Sequence, residues 1–323
     1  MGICCEYLDY VESAFDEHFS QKGYKREEPV AVSSRVDPTV DFVGSKISPL
    51  KHFVIEGNIS EQGHYLIQDC FRTKGIKKLK TLEPSRFGSC FRTMGTLTNP
   101  DIEKVVFDTF DYLVNEIGIN PQDLLIKINI DDADLMAATS SVVGDIRREE
   151  NAADAHYKHR YGLDEQGIFG RDFNIAVRKR KTDEFASVGT IVFMEQNDNG
   201  IGIDMGIGNL SLAMCNFGMD NTLSVSRMAD VIDIDDIEAQ RLADSLMGLA
   251  LLQKEHVQDI SSHADRASKN FRWKFNKYED AVVYWKSQFG LSDEQVLEYM
   301  QRYIDLEFKD NNDNYKSEAT WLR

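Results

Sequence analysis

The sequence predicts an α+β fold, an antiparallel sheet flanked by helices with a C-terminal all-helical domain, and two observations carry that expectation. Up to about residue 225, short runs rich in β-branched or aromatic residues are mixed with amphipathic helical stretches, without the regular alternation that a parallel nucleotide-binding sheet requires. From about Asp233 the spacing changes to long amphipathic helical stretches with almost no strand signal. The expected division is residues 1–225 and 226–323.

Each element has its own local signal. Tyr7, Val11, Ala14, Phe15 and Phe19 recur at helical spacing, so a first helix is expected over Glu6–Gln21, ended by Gly23. Val30–Ser33, Tyr65–Phe71 and Cys90–Leu97 read as strands. A helix fits Asp101–Ile117, with Asn99-Pro100 as its cap and first turn and Gly118 beyond its end. Strands are expected at Asp123–Ile130, Phe173–Arg178, Ala186–Glu195 and Gly200–Asp204, followed by a helix starting near Gly206. The helical region is expected at Asp233–Ser262, Lys277–Phe289 and Ser292–Phe308, and Lys309–Tyr315 reads as a polar, fraying tail.

Composition narrows the function classes. With 323 residues, 42% hydrophobic and 28% charged, the chain has the profile of a soluble globular protein with ample core material. No apolar run approaches the roughly 20 residues of a membrane helix, so no membrane partner and a cytoplasmic setting are expected. Met1-Gly2-Ile3-Cys4-Cys5 superficially matches a lipidation start, but Glu6 replaces the preferred hydroxyl residue. Five scattered cysteines without a Cys-x-x-Cys pair give neither a disulfide framework nor a structural metal site. The formal charge of −17, from 37 basic and 54 acidic residues, disfavours a polyanion such as transfer RNA. Short basic runs at Lys74–Lys80 and Arg178–Lys181 are read as solvated faces.

The most informative stretch is Ile203-Asp204-Met205-Gly206-Ile207-Gly208-Asn209-Leu210-Ser211. Three others precede it in order: Asp37-Pro38-Thr39-Val40-Asp41-Phe42 with Pro49-Leu50-Lys51-His52-Phe53, then Gln68-Asp69-Cys70-Phe71-Arg72 with Arg86–Gly95, then Tyr161–Ile175 with Gly167 and Gly170. Together they resemble the catalytic domain of alanyl-tRNA synthetase, a class II aminoacyl-tRNA synthetase, over about residues 5–220. The resemblance implies the class II fold and a chemistry that joins a small amino acid to the α-phosphate of ATP, with Mg2+ accompanying the nucleotide.

Roles carry over residue by residue. Arg72 matches the arginine that grips the α-phosphate, and its planar fork suits phosphate oxygens. Arg86 is grouped with it as catalytic and nucleotide-binding. Asp204 matches the acid that receives the substrate's amino group, and Gly206 the glycine that leaves room for a small side chain. Tyr161 stands where the family has tryptophan, and Thr190 where it has a substrate-facing asparagine. The departures are equally specific. Ser211 replaces the arginine that closes the third motif, an exchange that removes a phosphate contact worth about 2–5 kcal/mol. Arg92 reverses a charge beside the nucleotide and is a candidate to take over phosphate binding. Asn174 replaces a glutamate, and Phe87-Gly88 a histidine pair. His263–Ala267 faintly resembles an element of the family's helical RNA-recognition region.

Three functions follow from the resemblance. The first is ATP-dependent activation of a small amino acid, with a carrier protein or a small molecule rather than a full transfer RNA as acceptor. The second is a catalytically degenerate paralogue acting as a binding, sensor or partner protein. The third, transfer-RNA aminoacylation, is opposed by the charge and by the lack of any sign of an editing or oligomerisation domain.

Overall fold

The structure is a computed structural model that describes residues 2–142, 145–153, 159–255 and 266–308. Its frame is one eight-stranded sheet, and element order explains how the sheet is covered. Helix α1 (Ile3–Gln21) is followed by β1 (Lys25–Arg26), α2 (Ile47–Glu56), β2 (His64–Phe71), β3 (Cys90–Thr98), α3 (Ile102–Asp111) and β4 (Leu124–Ile128). Then come α4 (Ala133–Val142), β5 (Arg147–Glu150), β6 (Ile168–Arg178), β7 (Phe185–Gln196), β8 (Asn199–Gly208) and α5 (Asn209–Phe217). Three long helices close the order: α6 (Ile237–Lys254), α7 (Arg266–Phe289) and α8 (Asp293–Glu307).

The strands lie in the order β1-β2-β3-β8-β7-β6-β4-β5. All pairings from β2 to β4 are antiparallel, and only the short edge strands β1 and β5 run parallel to their neighbours. The α+β layout expected from the sequence is therefore the one observed.

Alternation along the strands separates two faces. Met94, Ile126, Phe173, Ile175, Ile191, Ile203, Met205 and Ile207 point to one side, into a core with α1, α3, α4 and α5. Helix α1 supplies Leu8, Phe15 and Phe19 to it, and its first turn is held by the Cys5 amide donating to Asp230 Oδ2 at 3.0 Å. Phe15 packs edge-on against Tyr112, ring centroids 5.3 Å apart. The other face carries Leu66, Leu97, Val192 and Met194, covered by Ile47, Leu50 and Val54 of α2. The helices beyond residue 236 build a further core that also takes in Val32, Phe42, Phe71, Ile76, Leu79 and Cys90.

Several boundaries differ from the sequence reading for local reasons. Val30–Ser33 is an irregular turn, because side chains take its amides: Gln68 Oε1 accepts from Val30, and the Glu255 carboxylate from Val32 and Ser33. Asp101, one residue past the expected Asn99-Pro100, caps α3 by accepting from the Lys104 amide, and a wide turn at Tyr112–Glu116 continues that helix. Gly206 lies inside β8, and the helix expected near it starts only at Asn209. Helix α6 begins on an Asp236 cap, and the remainder of the expected helix from residue 256 to 262 lies outside the described residues, as does the Lys309–Tyr315 tail. Helix α8 starts on a capping box of Ser292 and Gln295, close to its expected start.

His64, at the start of β2, yields a pH expectation. Its Nε2 accepts from the Ser60 amide at 3.0 Å and its Nδ1 lies 2.8 Å from Glu27 Oε1, so the ring fits its place as the neutral Nδ1–H form. Burial pushes its pKa below the usual 6.5, against the upward pull of Glu27. A histidine with a depressed folded pKa binds fewer protons folded than unfolded, so stability is lost as pH falls below 6.5. Thermal midpoints from pH 8 to 5 are expected to fall more steeply for the native chain than for His64→Gln. Parallel curves would remove His64 as the cause.

Candidate functional site

The site is assembled on the α2 side of the sheet, where strand registers align residues from distant parts of the chain. Leu66, Gly95, Gly206, Thr190, Asn174 and Lys127 form one row across β2, β3, β8, β7, β6 and β4. The next row holds Leu97, Asp204, Val192 and Asp172. Loop segments close over this floor. Gly162, at φ +72°, packs so tightly on Thr39 that an added Cβ would stand 2.6 Å from the threonine Cβ. Asp37 anchors the same segment: it pairs with Lys51 at 2.6 Å and accepts from Ser48 Oγ at 2.8 Å and Thr39 Oγ1 at 2.6 Å. Burial alone would raise the Asp37 pKa, but these bonds outweigh it and hold the carboxyl below its usual range.

Asp204 and Tyr161 meet as the motifs suggest. The Tyr161 hydroxyl donates to Asp204 Oδ2 at 3.1 Å, and both side chains are buried. Burial first, and the neighbouring Asp204 carboxylate second, push the tyrosine pKa well above its ordinary value, which keeps it a donor. What the sequence did not disclose is the third member. Lys46, at the N-cap position of α2 and 1% exposed, places its ammonium against Asp204 Oδ1 and donates to the Thr96 carbonyl. The Lys46 ammonium and the Asp204 carboxylate form a close ion pair. Burial lowers the Lys46 pKa, while Asp204 pulls it back up.

Gly206 takes on a new meaning here. A Cβ on Gly95 would stand 2.6 Å from Lys46 Cε, and one on Gly206 would stand 3.9 Å from it. The two glycines make a trough for the lysine stem.

Thr190 and Asn174 extend the polar floor. The Thr190 hydroxyl donates to Asn174 Oδ1 at 2.9 Å, and Asn174 Nδ2 lies 3.4 Å from Asp172 Oδ2. Asp172 faces His159 Nε2 at 3.4 Å, and its Oδ1 is buried without a hydrogen-bond partner among the described residues.

Arg72 leaves the end of β2 exposed. Its Nε donates to the Gly44 carbonyl at 2.8 Å and its guanidinium lies over the Phe91 ring, 4.7 Å from the centroid. Among the described residues no carboxylate pairs with it, which leaves a planar cation suited to an anion. Arg86 is exposed and lies over Phe87 at 5.3 Å, and its carbonyl accepts from the Thr222 amide at 2.9 Å. Its charge acts on Asp220 and Cys215, beside the end of α5. Ser211, in the first turn of α5, lies against Gly208, whose added Cβ would meet Ser211 Oγ at 3.2 Å.

Arg92 points the other way. It is opposite Asp69 in the β2–β3 register and two residues from Met94, hence on the α1 side of the sheet. There it reaches Asp69 at 2.8 Å, Glu12 at 2.6 Å and the Glu307 carboxylate at 3.3 Å. Burial opposes its charge, but the three acids raise its pKa well above the usual value. Its guanidinium is engaged in holding α1 and α8 to the sheet, on the face away from Arg72 and Asp204, and this corrects its expected place beside a nucleotide.

Among the described residues, no group of three or more histidine, cysteine, aspartate or glutamate side chains is placed to hold a metal. No helix among the described residues is long and apolar enough to cross a membrane.

No family model matches the chain, and no curated protein matches it. Solved structures do. An apo histidyl-tRNA synthetase from S. aureus is similar at 14% identity and TM-score 0.43, covering 75% of this chain and 75% of that one. A Leishmania major Friedlin protein described as an aspartyl-tRNA synthetase gives 10% identity and TM-score 0.41, over 69% of this chain and 64% of that one. An aspartyl tRNA synthetase from Entamoeba histolytica gives 10% identity and TM-score 0.31, over 68% and 57%.

Proposed function

We propose that this chain is a class II synthetase-like binding protein, which takes an anionic ligand of the nucleotide class through Arg72 and does not activate a standard amino acid. The observation that carries the reading is the Lys46–Asp204 pair: the carboxylate that an amino-acid substrate would need is engaged by the protein's own ammonium. The exchange of a motif arginine for Ser211 and the structural engagement of Arg92 support it further. A buried acid already neutralised by a buried lysine offers an incoming amine little, because the newcomer must first displace a partner held at very high effective concentration.

A second reading, ATP-dependent activation of a small amino acid with a carrier protein or small molecule as acceptor, is favoured by one feature. Arg72 is exposed and, among the described residues, paired with no carboxylate, as a phosphate grip requires. In that reading Asp204, Gly206, Tyr161 and Thr190 would bind the amino acid after Lys46 withdraws.

Both readings are tested together. Amino-acid-dependent exchange of labelled pyrophosphate into ATP, run across the proteinogenic amino acids with Mg2+, is expected to stay at background. Binding of ATP is expected to be detectable for the native chain and weakened about 30-fold or more in Arg72→Ala. Exchange with one small amino acid would establish the second reading instead.

A further inference from the structure

The seat of the Lys46 ammonium is a built cation site. Asp204 Oδ1 and the Thr96 carbonyl face it, the Tyr161 hydroxyl fixes the other carboxylate oxygen at 3.1 Å, and the glycine trough of Gly95 and Gly206 encloses the stem. The lysine reaches it from the short strap Gly44–Lys46, and Gly44 of the same strap holds Arg72 through its carbonyl at 2.8 Å. Two residues of extended chain span at most roughly 7 Å, so the anion-seeking guanidinium and the ammonium seat are tied to one short segment.

We propose that Lys46 is the specificity-determining residue of this site: a tethered ammonium that fills the seat, excludes ligands bringing a primary ammonium of their own, and leaves Arg72 to anions that lack one. The inference rests on the anion-binding reading of Arg72 for the class of ligand, and on the Lys46–Asp204 geometry alone for the exclusion. The chemistry is one of matched occupancy. Removing the lysine leaves a desolvated carboxylate beside an empty apolar trough, a combination that favours a small alkylammonium over water or a hydrated sodium ion. The same seat in the native chain is closed, since its occupant is covalently attached and cannot diffuse away.

The test uses the full chain as wild type, Lys46→Ala and Lys46→Ala/Asp204→Asn, titrated with 13C-methylammonium chloride and observed by NMR. Methylammonium is expected not to bind the wild type, to bind Lys46→Ala at least about 100-fold more tightly, and to lose that gain in the double variant. Binding to the wild type equal to that of Lys46→Ala would overturn the proposal, as would a folded Lys46→Ala that binds none. If Lys46→Ala is unfolded in plain buffer, the same titration is read as refolding. Recovery of the folded circular dichroism spectrum with methylammonium chloride, but not with sodium chloride at equal ionic strength, supports the proposal, and equal recovery or none refutes it. ATP binding is measured alongside on the wild type and Arg72→Ala. A chain that binds no ATP removes the nucleotide reading while leaving the methylammonium result to stand or fall by itself.

Discussion

Replacing Arg92 with methionine is expected to cost about 3–5 kcal/mol of folding free energy, because it removes the guanidinium that faces Asp69 and leaves Arg227 alone to offset Glu12 and Glu307. Arg92 and Arg227 together face Asp9, Glu12, Asp69 and Glu307, with Glu12 and Glu307 shared by both guanidiniums. Glu307 is the member most exposed to the consequence. Burial raises its pKa despite the two arginines, so its surroundings disfavour its charge even in the native chain. An acid whose folded pKa is raised binds protons more tightly folded than unfolded, so stability falls as pH rises through that range and recovers as pH falls. The deficit of Arg92→Met is therefore expected to shrink as pH falls from 7 to 5, as Glu307 takes up a proton. Urea denaturation at both pH values measures it, and a loss below about 1 kcal/mol at pH 7 would mean that the acids find solvent instead.

Asp204→Ala is expected to be nearly as damaging, about 3–5 kcal/mol, for the mirror-image reason: it leaves a fully buried ammonium with only the Thr96 carbonyl. The Lys46 pKa, already lowered by burial, then loses the one neighbour that raises it. A lysine with a depressed folded pKa is better tolerated as the solution becomes more basic, since the unfolded chain binds the extra proton and the folded chain does not. The variant is expected to regain stability from pH 7 toward pH 10, the opposite slope to that of Arg92→Met. The double variant Lys46→Met/Asp204→Leu removes both charges while keeping apolar volume, and is expected to recover most of the loss. A double variant as unstable as Asp204→Ala would show that the pair acts through shape rather than charge.

Much of the sheet could be read from the sequence because its central strands alternate over long runs: Phe185–Gln196 and Asn199–Gly208 each show one face to the core and the other to the cleft. Helix α2 was hidden by Pro49 and by its shortness, with only Ile47, Leu50 and Val54 to mark the apolar face. The meeting of Asp204 with Tyr161 was legible, since both lie in segments that resemble one family's motifs. Lys46 was not. It stands between two recognisable segments, and nothing local reveals a contact with a carboxylate 158 positions further along the chain. Arg92 illustrates a different limit. Its charge is plain in the sequence, but which side of the sheet it faces depends on strand register, and a shift of one residue would have sent it into the cleft.

The shared guanidinium cluster also dictates an order of events in time. Glu12 lies in the first helix and Glu307 in the last turn of α8, and each needs Arg92 and Arg227 to offset its charge. As the chain is synthesised, α1 emerges early, yet its anchoring cannot be completed until the residues around 307 have left the ribosome. Contacts of such long sequence separation form late and slowly. Helix α1 can therefore seat Phe15 and Phe19 against Tyr65 and Tyr112 well before the charges around Arg92 and Arg227 are balanced, so its packing precedes its final electrostatic anchoring.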